Sequence, residues 1–145
     1  MAIAFSHSLR RIIAARAGSI MTNVEKTYLK APFPYFGGKG RVAHEIWRRF
    51  GRVPNYVEPF FGSGAVLLSR PHPAGTETVN DLDCYLSNFW RAVKMCPDDV
   101  AKHACYPVSE IDLLSRHDYL LSVGCDLRDN MREDNSFFDA QIAGW

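Results

Sequence analysis

Residues 55–68, Asn55-Tyr56-Val57-Glu58-Pro59-Phe60-Phe61-Gly62-Ser63-Gly64-Ala65-Val66-Leu67-Leu68, decide the fold. They read as a short strand, a glycine turn and the first turns of a helix. Tyr56 and Val57 favour a strand, and Pro59 closes the run because it has no amide hydrogen to give a ladder. Gly62 and Gly64 permit backbone angles closed to other residues and let a ligand approach the main chain. Ala65 to Leu68 then supply an apolar helical face. Where a strand runs through a glycine turn into a helix, unpaired amides and the helix dipole point outward and favour nucleotide-type ligands.

A lone G-x-G is also what an ordinary tight turn looks like. A second strand-like segment, Glu77-Thr78-Val79-Asn80, sharpens the reading, because it ends at Asp81, nineteen residues beyond Gly62. An acid at about that distance, at the end of the next strand, is where a doubly wound sheet holds ribose hydroxyls. The turn lacks a third glycine and carries Phe60 and Phe61, which suits a flat adenine better than a pyrophosphate. An adenosyl cofactor without phosphates is therefore favoured over a dinucleotide.

Length and composition set the frame. The 145 residues suffice for a domain with a real core, and 47% apolar with 23% charged residues is globular composition. No apolar run approaches the roughly 18 residues of a spanning helix, so no membrane partner and a cytoplasmic location are expected. The net charge of +1 hides an asymmetry, with residues 1–52 carrying +8 and residues 53–145 carrying −7. A basic half can meet a polyanion such as DNA, and solvated helix faces account for it equally well. Cys84, Cys96, Cys105 and Cys125 form no C-x-x-C pair, which reads as reduced thiols. His103-Ala104-Cys105 has no partner pair at ligand spacing, so no metal is expected.

Taken in order, residues 2–20 are free of acids and contain Arg10, Arg11 and Arg16. They resemble a transit peptide in composition, but an N-terminal extension over residues 1–30, poorly ordered and with Met21 as a plausible internal start, is the preferred reading. Pro32 and Pro34 then hold an extended approach to Tyr35-Phe36-Gly37-Gly38-Lys39. The following helix carries Val42, Ala43, Ile46, Trp47 and Phe50 on one face and stops at Gly51. Here Tyr35 offers a stacking surface and Lys39 a counter-charge for a carboxylate; alternatively the lysine is simply solvated. After Asp81-Leu82-Asp83, residues Leu86, Phe89, Trp90 and Val93 keep helical spacing. Asp83 fits a helix N-terminal charge, and Asn88 either braces the preceding loop or sits on the surface. Pro97-Asp98-Asp99 opens a new segment, and Ser109-Glu110-Ile111-Asp112 resembles an N-cap ahead of Leu113, Leu114, Leu120 and Leu121. Asp126 to Asn135 read as a charged loop. Phe137 to Trp145 turn apolar again and stop mid-pattern, which suggests truncation.

Three stretches now carry a family resemblance. Pro34-Tyr35-Phe36-Gly37-Gly38-Lys39, Glu58-Pro59-Phe60-Phe61-Gly62-Ser63-Gly64 and Asn80-Asp81-Leu82-Asp83, in this order and spacing, resemble the N-terminal half of Dam-type adenine-specific DNA methyltransferases of bacteria and phages. The resemblance covers about residues 31–95. It implies S-adenosylmethionine as cofactor, with Tyr35 and Lys39 from the first motif, Phe60, Gly62 and Gly64 from the second and Asp81 on the ribose. It also implies double-stranded DNA as partner and methyl transfer to the amine of a flipped adenine. The family's Asp-Pro-Pro-Tyr type motif is missing, since no two of the eight prolines are adjacent, so no catalytic residue is assigned and the chain is expected to be inactive alone.

The expected fold is α/β, a partial Rossmann-like sheet. Residues 31–96 would be the cofactor-binding half and residues 97–145 the start of a truncated helical target-recognition region. Uncovered strand edges and apolar faces would then leave it marginally stable or prone to association. A non-catalytic DNA-associated or regulatory module on the same scaffold is the alternative, and a dinucleotide-binding fragment a more distant third.

Overall fold

The structure, a computed structural model, describes residues 3–5, 29–72 and 75–145. It divides into two compact units, residues 2–80 and residues 81–145. The expectations for residues 1–2 and 6–28, Met21 among them, lie outside the described residues.

The first unit is built on a small mixed sheet. Strands β1 (Ile3–Phe5), β2 (Asn55–Glu58) and β3 (Thr76–Val79) lie in the order β1-β3-β2, with β3 central. β2 and β3 are parallel, with Asn55 opposite Thr76 and Glu58 opposite Val79. β1 is antiparallel to β3, Ile3 facing Val79. The third strand thus comes from the segment expected to be an extension. Between β2 and β3 lies α2 (Ala65–Leu68), a single turn that ends as the Ser69 hydroxyl donates to the Val66 carbonyl.

Ahead of the sheet, a short 3-10 turn over Lys39–Arg41 leads into α1 (Ala43–Phe50). Gly51, with φ of 62°, ends α1 as expected by bonding back to the Trp47 carbonyl. The expected apolar face is only half used: Ala43 and Trp47 are buried, whereas Val42 and Phe50 stay exposed. Trp47 anchors the unit. Its indole donates to the Val66 carbonyl at 2.7 Å and its ring lies 4.9 Å from that of Tyr56. Gly75 has a steric reason to be glycine, because a Cβ there would lie 1.8 Å from the Pro54 carbonyl oxygen. The neighbouring Thr76 amide bonds that same oxygen, fixing where β3 begins beside β2.

The second unit is helical. α3 (Cys84–Met95) starts where the Asp83 carboxylate accepts from the Tyr85 and Leu86 amides, so Asp83 is an N-cap as expected. α4 (Pro97–Ala104) has proline at its first position, where no amide is missed, and Asp98 and Asp99 in its first turn. α5 (Glu110–Glu133) opens with a complete capping box between Ser109 and Asp112. α6 (Ala140–Gly144) is capped by Asp139.

Two expectations are corrected here. Asp126 to Glu133 belong to α5 and are not a loop: Leu127 and Met131, one turn apart, sit with Ile142 in a buried cluster that Tyr85, Val123 and Phe137 flank. Asn88 is fully buried and braces a later segment, not the preceding loop. Its amide donates to the Asp139 carbonyl at 2.8 Å and its carbonyl accepts from the Asp139 amide at 2.6 Å. Gly124 lets α5 pass the Tyr85 hydroxyl, which bonds the Leu120 carbonyl; a Cβ would come within 2.5 Å of it. The front of α5 is largely uncovered, with Ile111 and Leu121 among its exposed apolar residues.

Candidate functional site

The site grows from the end of β2. Strand alternation buries Tyr56 and Glu58 on one face and turns Asn55 and Val57 outward. A carboxylate on that face needs partners, and Glu58 finds them on its own strand and on the preceding segment. The Tyr56 hydroxyl donates to it at 2.7 Å, and the Lys39 ammonium pairs with it at 2.6 Å. Burial, and then the Glu58 carboxylate, pushes the Tyr56 phenol far above its ordinary pKa, so the phenol keeps its proton and stays a donor. Below this pair lies a second one, Arg70 with Glu77, both fully buried and 3.4 Å apart. Arg70 also donates to the Val53 carbonyl at 2.6 Å and stacks over Trp47 at 5.1 Å.

Past Glu58 the chain turns on glycine. Gly62 and Gly64 have φ of 54° and 70°, a left-handed conformation costly for other residues. The Gly64 amide closes the turn on the Phe61 carbonyl at 3.0 Å. Phe61 is buried, and its amide bonds the Asn80 carbonyl at 2.9 Å, while the Asn80 amide bonds the Glu58 carbonyl at 2.9 Å. The loop is therefore pinned to the last residues of β2 and β3. Phe60 points its ring outward, 74% exposed.

The Tyr35 ring closes over this turn. A Cβ on Gly62 would fall 3.0 Å from the ring's Cδ1 atom, so glycine is what lets the two meet. Tyr35 keeps 43% of its surface exposed, and its carbonyl accepts from the Gly38 amide at 2.9 Å. Lys39 reaches the Phe60 carbonyl besides Glu58. The structure thus brings Tyr35, Lys39, Phe60, Gly62 and Gly64 together. Asp81 lies at the start of the second unit, directly after Asn80 in the chain. There its carboxylate accepts from the Asp83 amide at 3.1 Å, and its carbonyl accepts from the Ser87 hydroxyl at 3.0 Å.

Three features were not foreseen. Lys39 was expected as a counter-charge for a ligand, yet its ammonium engages the protein's own Glu58. Glu58 itself was quoted but given no role, although its place two residues after Tyr56 puts both on one strand face. Among the described residues the Asn80 side-chain oxygen has no hydrogen-bond partner, a buried, orphaned acceptor just past β3. Among the described residues no group of three His, Cys, Asp or Glu could hold a metal ion, and no helix is long and apolar enough to cross a membrane.

No curated protein and no solved structure matches the chain. A family model does, that of the D12 class N6 adenine-specific DNA methyltransferases, over residues 35–140. The match begins at Tyr35, runs through the glycine turn and Asp81, and reaches α6. It spans well over half of the 145 residues, and the chain belongs to the D12 class of N6 adenine-specific DNA methyltransferases.

Proposed function

We propose that these residues form the S-adenosylmethionine-binding half of an enzyme that methylates the exocyclic amine of adenine in double-stranded DNA. The parallel β2-α2-β3 unit supports a partial Rossmann-like methyltransferase fold, and the location proposed is cytoplasmic. S-adenosylmethionine, when bound, supplies an electrophilic methyl on a sulfonium. The orphaned Asn80 oxygen carries the proposal, because a buried acceptor beside the glycine turn is satisfied by a hydroxyl or amine of a bound group.

Each residue then has a task. The half-exposed face of Tyr35 and the outward ring of Phe60 offer stacking surfaces to a flat base. Gly62 and Gly64 let a ligand lie against bare backbone. Lys39 has three N–H donors and uses two on Glu58 and Phe60, leaving one for a carboxylate. Asp81 takes the ribose hydroxyls. The 145 residues contain no Asp-Pro-Pro-Tyr type tetrapeptide to hold the adenine amine, so we assign them cofactor binding and no methyl transfer of their own.

Calorimetric titration of the chain with S-adenosylmethionine tests this. Binding is expected, and Gly62→Ala, which drives a methyl group into the Tyr35 ring, and Asp81→Ala should each weaken it at least about tenfold, or ~1.4 kcal/mol. Absence of heat from the unmodified chain would instead favour the alternative, a DNA-associated module that keeps the scaffold without the cofactor. The engagement of Lys39 by Glu58 is the observation on that side.

A further inference from the structure

We propose that one face of α1, with the cleft beside it, is a docking surface for the phosphate backbone of duplex DNA. The proposal rests on the DNA methyltransferase reading for its partner and on geometry of its own for its place. Arg41, His44, Arg48 and Arg52 follow one another at spacings of three, four and four residues. His44 and Arg48 lie within α1, where helical periodicity sets them one turn apart on one face, while Arg41 ends the 3-10 turn before it and Arg52 follows the stop at Gly51. All four are exposed. Between residues 41 and 52 the sole acid is Glu45, so the stretch carries +3.

Beside them lies a cleft of about 610 Å3 lined by Ala43 and Trp47 of α1 and by Ser69, Pro71 and His72. His44 and Arg48 of α1 line it too, so with His72 three basic-type side chains share the cleft. Glu45 does not cancel these charges. It accepts two hydrogen bonds from Arg48, through Nε and Nη2, each at 2.7 Å. A guanidinium has five N–H donors in a planar fork, so this pairing orients Arg48 and leaves donors for a second oxyanion.

The number of exposed basic groups selects the partner. Arg41, His44, Arg48 and Arg52 are more basic groups than one phosphate can use, whereas a DNA strand offers a phosphate at each step of about 3.4 Å. An acidic protein partner is disfavoured, because protein interfaces centre on apolar anchors and this set has none. Exposed Val42 and Phe50 belong to other sides of the helix by the same periodicity.

The test is fluorescence anisotropy with a short labelled duplex across a salt series, using the full chain. The unmodified chain should bind with a steep dependence of log affinity on log salt. Arg41→Gln/Arg48→Gln/Arg52→Gln should flatten that slope by about 2–3, at ~0.9 for each phosphate left without its arginine. Arg49→Gln, on another side of α1, should leave it close to unchanged, and circular dichroism confirms that the variants are folded. An unaltered slope in the triple variant, or salt-independent binding by the unmodified chain, overturns the proposal. So does competition by polyglutamate as strong as that by duplex, which would hand the surface to acidic proteins. Calorimetry with S-adenosylmethionine runs alongside: a flattened slope with cofactor heat retained supports the surface as separate from the glycine turn. A slope effect without any cofactor heat in the unmodified chain supports the surface and defeats the cofactor reading.

Discussion

In residues 29–80 the buried polar side chains are mostly ionisable and answer one another, Glu58 to Lys39 and Tyr56, Arg70 to Glu77. In residues 81–145 buried Asn88 and Arg91 instead reach backbone, that of Asp139 and the Phe137 carbonyl at 3.0 Å. The first arrangement fixes charge under the strand end from which the glycine turn leaves. The second holds down irregular backbone between α5 and α6, whose amides and carbonyls would otherwise be buried without partners. Paired charges organise the first unit, and side chains bonded to backbone close the helical one.

The largest break in that comparison should come from Arg70→Leu. It leaves Glu77 a buried carboxylate stripped of its cation, and urea unfolding should show a loss of about 3–5 kcal/mol. Replacing both residues at once, Arg70→Leu with Glu77→Leu, should recover much of that loss. If it does not, the pair matters for packing rather than charge. Asn88→Ala removes both bonds to Asp139 and opens a small cavity, with an expected loss of about 2 kcal/mol. Hydrogen exchange should show residues 134–140 opening first.

How far these features were legible from the sequence follows from how local they are. The strand at Tyr56, the stop at Gly51, the Asp83 cap and the Ser109 cap are each decided within a few residues, and each was readable. The glycine turn was readable for the same reason, down to the backbone angles that Gly62 and Gly64 adopt. The stretch Asp126–Glu133 was misread because its charges outnumber its apolar residues. Leu127 and Met131, only one turn apart, then find Ile142 and make the helix worthwhile. Pairings such as Lys39 with Glu58, nineteen residues away, or Arg70 with the Val53 carbonyl leave no trace in any short window. The pairing of Lys39 with Glu58 was thus a part of the site that sequence reasoning did not reach.

Two smaller tests sharpen the picture at the surface. Ser109→Ala breaks the capping box of α5 and should cost about 1 kcal/mol, with fraying seen by circular dichroism. Glu45 carries the smallest effect. Its hydrogen bonds to Arg48 and Arg49 hold its carboxyl down at about 2, against an ordinary 4.5. A lowered folded-state pKa gives stability that is present above the ordinary value and lost as pH falls toward about 2. Glu45→Gln should therefore remove part of the decline in urea midpoint below pH 4.5. Solvent screening keeps the change slight at neutral pH.

The tie between Asn88 and Asp139 spans 51 positions of chain, and that separation has a consequence for biosynthesis. On the ribosome, at about 5–20 residues per second, Asp139 appears roughly 3–10 s after Asn88. A helix around Asn88 can coil in microseconds. Its inward-facing amide then waits seconds in water for the backbone that will cover it, and in that interval the nascent helical unit is open to chaperones and to its own neighbours.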